Sequence, residues 1–102
     1  GMRRLERAIE LDPRSALAHC YLGQAFEKTK QPGRAEESFR KAASLEPDNW
    51  VYQQRLGIFQ FRVGRYAESV RALEAAARLT PDNAEVNANL GGVYQAVGRF
   101  EE

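Results

Sequence analysis

This sequence predicts an all-α fold of antiparallel helix pairs stacked as a solenoid, and three observations carry that expectation. Positions recur at a spacing of 34 residues along the chain. Within each unit the apolar residues step by three and four, which is the spacing of one helical face. No stretch of useful length alternates apolar and polar residues, so no strands are expected. A two-helix unit cannot bury its apolar face alone, so stacked copies must supply a shared core.

The repeat is read from several positions at once. Pro13, Pro47 and Pro81 mark one place in each unit, Leu22-Gly23, Leu56-Gly57 and Leu90-Gly91 a second, and Ala8, Ala42 and Ala76 a third. Gly64 and Gly98 match, and Gly33 lies close by in the alignment, behind Pro32.

The elements follow in order. A first helix is expected over 2–11. Ser15, Asn49 and Asn83 are N-cap residues, because their side chains accept from free backbone N–H groups in a first turn. From each cap a helix runs to a glycine-containing break, near Lys30 to Gly33, at Gly64 and at Gly98. A second helix follows from Gly33 to Leu45 and from Arg65 to Leu79. The next proline ends it, since proline lacks an N–H and clashes with the preceding turn.

Each helix carries an apolar face. Tyr52, Leu56, Phe59 and Val63 form one, Tyr66, Val70, Leu73 and Ala76-Ala77 the next, and Ala35, Phe39, Ala42 and Leu45 the one before. The expected organisation is a single segment: 1–15 as the second helix of a partial repeat, 16–49 and 50–83 as whole repeats, and 84–102 as the first helix of a truncated one, helical to Val97. Leu5, Ala8, Ile9 and Leu11 then lack a first helix to pack against, and Leu90, Val93, Tyr94 and Val97 lack a second. The chain's 102 residues are three repeat lengths. Head-to-tail self-association is therefore expected, with helix 2–11 of one copy covering helix 84–97 of another.

Composition narrows the function classes. The chain is 43% hydrophobic and 28% charged, as folded soluble chains are. Its formal net charge of +1 creates no field to attract nucleic acid or an acidic membrane. The arginines near the start (Arg3, Arg4, Arg7) are few. Arg62, Arg65, Arg71 and Arg78 interleave with Glu68 and Glu74, which suggests exposed, paired helix faces rather than a nucleic-acid stripe. Arginine far outnumbers lysine, which points to a GC-rich, bacterial source. No apolar run reaches a membrane span, and GMRRLERAIE has no apolar core of a signal peptide. A cytoplasmic location is favoured.

No catalytic constellation stands out. His19 and Cys20 diverge by about 100° on a helix, and two N/S ligands do not make a tetrahedral zinc site. His19 reads as a replacement for a half-buried aromatic, and Cys20 as a small apolar residue. The adjacent carboxylates Glu36-Glu37 and Glu101-Glu102 also diverge and cannot flank a substrate. No phosphate-binding or metalloprotease motif occurs. No enzyme activity, cofactor or metal is expected.

The residues YLGQAF, then Gly33, Ala35, Phe39, Ala42 and Pro47, resemble the tetratricopeptide repeat (TPR). NLGGVYQAVGRF, with Leu90, Gly91, Tyr94, Gly98 and Phe100, resembles the first helix of a further unit. The resemblance covers essentially the whole chain and implies a right-handed superhelix, here a slice of a longer array. The chain departs from the pattern in places. His19, Gln53 and Asn87 stand where an early aromatic is expected. Gln60 takes the place filled by Phe26 and Tyr94 in the other units, with Phe59 beside it to fill the space. Ser69 replaces a small alanine.

The resemblance implies a concave groove lined by the first helices, binding a peptide or a partner's helix. The spacing then places Leu17, Cys20, Gln24 and Glu27-Lys28 on that face in one unit. It places Val51, Gln54-Arg55, Ile58 and Phe61-Arg62 in the next, and Glu85, Ala88-Asn89, Gly92 and Gln95 in the third. Ile58 and Phe61 would offer an apolar pocket, and Arg55 and Arg62 would pair an acidic partner. Packing between first helices is the simpler use of Val51, Ile58 and Phe61. The candidate site is Gln24, Lys28, Gln54, Arg55, Ile58, Phe61, Arg62, Asn89 and Gln95. Some family members grip a chaperone's C-terminal carboxylate with Lys, Asn and Arg. Cys20, Gln24, Arg55, Glu85 and Asn89 stand at those places, and Cys20 and Glu85 are wrong for an anion. No chaperone-tail binding is expected. LGIFQFRVGRY also resembles repeats attached to bacterial kinases and cyclases, so a regulatory or sensory segment of a larger signalling enzyme is the alternative to a scaffold module. A nucleic-acid binder is the last choice.

Overall fold

The computed structural model describes residues 2–101, apart from the side chains of Met2, Leu5, Arg99, Phe100 and Glu101. The described residues form six helices and no strand: α1 (Met2–Leu11), α2 (Ala16–Lys28), α3 (Pro32–Leu45), α4 (Trp50–Arg62), α5 (Tyr66–Leu79) and α6 (Ala84–Glu101). They divide into two compact units, Gly1–Pro47 and Asp48–Glu102.

In the first unit, Ser15 caps α2 by accepting from the Ala18 amide at 3.2 Å. Pro32 opens α3, where its missing N–H costs nothing and its fixed φ suits a helix start. The expected start at Gly33 is thus one residue late. α2 and α3 pack antiparallel. Gly23 lies against Phe39, and Arg34 lies over Phe26 with its guanidinium 5.8 Å from the ring centre. Cys20, Leu22, Phe26, Ala35, Phe39 and Ala42 form the core. α1 packs against α2. Leu11 at its end is 78% exposed, while Ala8 and Ile9 are half-buried.

In the second unit, Asn49 and Asn83 accept from the Val51 and Val86 amides, at 3.0 and 3.1 Å. α4 and α5 repeat the antiparallel hairpin around Tyr52, Leu56, Phe59, Leu73 and Ala76. α6 packs on α5 and buries Val86 and Val93, seven residues apart on one stripe.

Three expectations need correction. Val63 does not extend the α4 face. It is the C-cap residue and is 42% exposed, because the helix ends at Arg62. Val93 is covered by this packing of α6, although Tyr94 is 47% exposed. Gly98 does not break α6, which continues to Glu101. A glycine costs a helix only about 1 kcal/mol. At Gly64 the break is held by the packing of α5 back on α4. The expectations about Leu5 and Phe100 fall on side chains outside the description.

The left-handed position that ends α2 is Lys30, at φ 60°, in the register of Gly64 at φ 85°. It is not Gly33, which lies inside α3. Both breaks close in the same way. The amides of Gln31 and Lys30 donate to Phe26 and Glu27 oxygens, and those of Arg65 and Gly64 to Gln60 and Phe61 oxygens. This is the Schellman arrangement, in which two orphan carbonyls of a helix end are satisfied.

Candidate peptide groove

Each first helix carries, in one shared 34-residue register, a stripe that is half-buried or exposed throughout. On α2 it is Leu17, Tyr21, Gln24 and Lys28, stepping four, three and four. Leu17 is 51% and Tyr21 49% exposed, Gln24 is half-buried and Lys28 is exposed. On α4 the same register holds Val51 and Ile58, both half-buried, and Arg55 and Arg62, both exposed. On α6 it holds exposed Glu85, half-buried Asn89, exposed Gly92 and half-buried Ala96. Tyr21 was missed by sequence reasoning. Its spacing from Leu17 and its 34-residue register with Arg55 were the available signal.

The neighbouring stripe is used differently. Cys20 is buried. Gln54, in the same register, is 5% exposed and donates from Nε2 to Glu85 Oε1 at 3.1 Å, tying α4 to α6. Its Oε1 has no hydrogen-bond partner. Phe61 lies at the end of α4, tilted 58° on Tyr66 with ring centres 5.4 Å apart, so part of its surface serves the hairpin. Gln95 of α6 is exposed in that register.

Within the first unit the structure thus places Gln24 and Lys28 along one helix. In the second unit Gln54, Arg55, Ile58, Phe61 and Arg62 lie on α4 and Asn89 and Gln95 on α6, and a side-chain bond from Gln54 to Glu85 joins the two helices. The chemistry on offer is apolar contact, amide hydrogen bonding and positive charge. Among the described residues, no group of three His, Cys, Asp or Glu side chains is placed to hold a metal. Among the same residues, no helix is long and apolar enough to cross a membrane.

Position by position, polar side chains replace the early aromatic. His19 Nε2 lies 3.0 Å from the Pro13 oxygen, and Asn87 Nδ2 donates to the Pro81 oxygen at 3.0 Å. Each ties a first helix to the proline turn before it, a role the sequence did not show for His19. Further along, the Tyr94 hydroxyl donates to Glu74 Oε2 at 2.7 Å. That bond to a carboxylate holds the Tyr94 pKa above its usual value.

Comparison with known proteins bears on the same residues. A family model described as tetratricopeptide repeat matches residues 16–49, and one described as TPR repeat matches residues 60–98. The chain is 35% identical over 89 residues to the type IV pilus assembly protein PilF of Pseudomonas aeruginosa, a match covering 85% of this chain and 35% of PilF. It is 24% identical over 95 residues to anaphase-promoting complex subunit 3 of Schizosaccharomyces pombe, covering 93% of this chain and 14% of that protein. The chain therefore spans only a minor part of these relatives.

Among solved structures, MamA superposes with a TM-score of 0.83 at 25% identity, covering 94% of this chain and 56% of that one. The first TPR of Spaghetti (RPAP3), bound to the HSP90 peptide SRMEEVD, superposes with a TM-score of 0.83 at 21% identity, covering 92% and 75%. The second of these likenesses shows the fold alone. Helix pairs at a 34-residue spacing, the Gly23–Phe39 and Gly57–Leu73 approaches and the two matching repeat models agree: this chain belongs to the tetratricopeptide repeat family.

Proposed function

We propose that this chain is a non-catalytic protein–protein interaction module that takes a peptide or partner helix on the exposed stripes of its first helices. The observation that carries this reading is the composition of those stripes. Leu17 and Tyr21 on α2 are about half exposed. Arg55 and Arg62 on α4 alternate with half-buried Val51 and Ile58. Exposed apolar side chains on α2, and cations alternating with half-buried apolar residues on α4, suit partners with apolar anchors and carboxylates. Gln54 contributes from beneath by holding Glu85, and Asn89 and Gln95 supply amides on α6.

The test is a titration with a fluorescein-labelled peptide of alternating glutamate and leucine. Arg55→Glu with Arg62→Glu should weaken binding at least about tenfold, roughly 1.4 kcal/mol. Unchanged affinity removes both arginines from the site. Leu17→Ser with Tyr21→Ser tests the α2 stripe by itself, and weaker binding of a leucine-rich peptide is expected there. The chain should not bind an acidic chaperone tail of the SRMEEVD kind, because Cys20 is buried and Glu85 is an anion; a micromolar dissociation constant would contradict this.

Self-association is a second reading, and Gly91 favours it. A Cβ at Gly23 would meet Phe39 and one at Gly57 would meet Leu73, whereas one at Gly91 would meet nothing within 4 Å. A helix with a bulky residue in the register of Phe39 and Leu73 would cover that open face. Leu5 on α1 stands in this register, so α1 of a second copy is the proposed occupant. A flanking helix in a longer chain would compete for the same face. Sedimentation showing only monomer up to millimolar concentration would end this reading.

A further inference from the structure

The first unit has a cleft of about 710 Å³ that the proposed groove does not use. Its floor is Leu22 and Phe26 of α2, with His19 at one end. At 100° per residue, these positions lie roughly opposite the Leu17–Tyr21–Gln24–Lys28 stripe of the same helix. Ile9 of α1 forms one wall. The other wall is α3, where Arg34, Glu37, Ser38, Lys41 and Ser44 step along one face. Its lining is mostly apolar, and its volume is that of a typical ligand cleft, enough for a few side chains.

The charge on this cleft is one-sided. Arg34, Arg40 and Lys41 stand on it against one carboxylate, Glu37. Arg40 is engaged by Glu36 at 3.2 Å, which leaves Arg34 and Lys41 to set the character of the rim. Both are exposed, and Arg34 lies over the Phe26 ring, so one cation stands directly above the apolar floor. The two residues are seven apart on α3, or about 10 Å along a helix axis. Glutamates seven apart on a second helix have the same separation, and the residues three and four after the first glutamate lie between them on the same face.

We infer that this cleft receives an acidic amphipathic helix of a protein partner, with carboxylates at i and i+7 pairing Arg34 and Lys41 and apolar side chains at i+3 and i+4 entering over Leu22 and Phe26. Two cations are too few to hold a nucleic acid, and an apolar floor gives a phosphate backbone nothing to bind. The single carboxylate, Glu37, lies between the cations on α3 and opposes the partner's charge, which tunes affinity downward.

The probe is an N-acetylated alanine-based helical peptide with glutamates seven apart and a leucine pair between them. A control peptide carries lysines in place of the glutamates. Both are titrated into the isotopically labelled chain and followed by backbone amide shifts. Saturable shifts at α3 residues Arg34 to Lys41 and at Ile9 are expected for the acidic peptide and not for the basic one. Arg34→Gln with Lys41→Gln should weaken binding at least about tenfold, and Glu37→Gln should tighten it about two- to threefold. Circular dichroism of the variants checks that they keep their helices. Equal binding of the two peptides, unchanged affinity of the Arg34→Gln/Lys41→Gln variant, or shifts confined to α4 and α6 would each overturn the inference. Loss of binding in the Arg55→Glu/Arg62→Glu variant would also overturn it, because that variant leaves the cleft intact.

Discussion

The hairpins α2–α3 and α4–α5 share one backbone plan and fill it with different chemistry. In the first, Gly23 faces the Phe39 ring, Ala35 is fully buried and Phe26 closes the end of the core. In the second, Gly57 faces Leu73, Ser69 replaces that alanine and Gln60 replaces that phenylalanine. At these positions the first hairpin is joined by apolar side chains, with the Arg34 guanidinium over the Phe26 ring. In the second, the fully buried Ser69 donates from Oγ to the Gly57 oxygen at 2.6 Å. Gln60 donates weakly to Glu68, at 3.5 Å, and its Oε1 is left without a partner. Phe59, one residue earlier, is buried in the same hairpin. A repeat thus fixes where large and small side chains must sit, and leaves open whether the join is apolar or hydrogen-bonded.

The largest test of this comparison is a methyl group on each first-helix glycine. A Cβ at Gly57 would come within 2.7 Å of Leu73 Cγ, and one at Gly23 within 2.9 Å of the Phe39 ring. The Ser69 bond also resists separation of α4 from α5. Overpacking costs about 1–3 kcal/mol, offset by about 1 kcal/mol of helix propensity. Gly57→Ala should therefore destabilise by about 2 kcal/mol and Gly23→Ala by about 1 kcal/mol. Gly91→Ala, with open space around it, should stabilise by up to about 1 kcal/mol. Denaturant titrations rank the three, and an equal cost at all of them would remove close helix approach as the reason for these glycines.

Next in size are the polar substitutions of the second hairpin. Ser69→Ala should cost about 1 kcal/mol, since it removes a buried hydrogen bond and little volume. Gln60→Met should be neutral or stabilising by up to about 1 kcal/mol, because it replaces a poorly satisfied buried amide with an apolar chain of similar shape. If thermal denaturation shows a clear loss for Gln60→Met, the bond to Glu68 matters more than its length indicates.

The smallest effect separates the two turns. Lys30 holds a left-handed conformation that glycine adopts freely. Lys30→Gly should raise stability by about 0.5–1 kcal/mol, and Gly64→Ala should lower it by a similar amount. No difference at Lys30 on chemical denaturation would mean that its side chain contributes as much as its backbone strain costs.

The proposed groove was only partly visible from the chain. Arg55, Ile58 and Arg62 follow from the register of the middle unit. Tyr21 shares that register but reads in sequence as part of the family pattern. Gln54 looks from sequence like a groove residue, yet its donor is taken by Glu85, thirty-one residues away. A pairing across that distance leaves no local signal. The cleft over Leu22 and Phe26 is likewise built from α1, α2 and α3 together, and no single helix pattern announces it.

Sequence alone determined the period, the caps at Ser15, Asn49 and Asn83, the proline stops, and the small and large positions of the hairpins. Each of these is a local backbone or side-chain requirement, repeated until coincidence is excluded. Tertiary structure decided which residue takes the left-handed turn, Lys30 rather than Gly33. It also decided that Gly64 breaks a helix while Gly98 does not, and where Gln54, Gln60 and Ser69 find their partners. Those outcomes depend on what packs against the chain, because a glycine or a buried amide shifts the balance by only about 1 kcal/mol and a neighbouring helix supplies more.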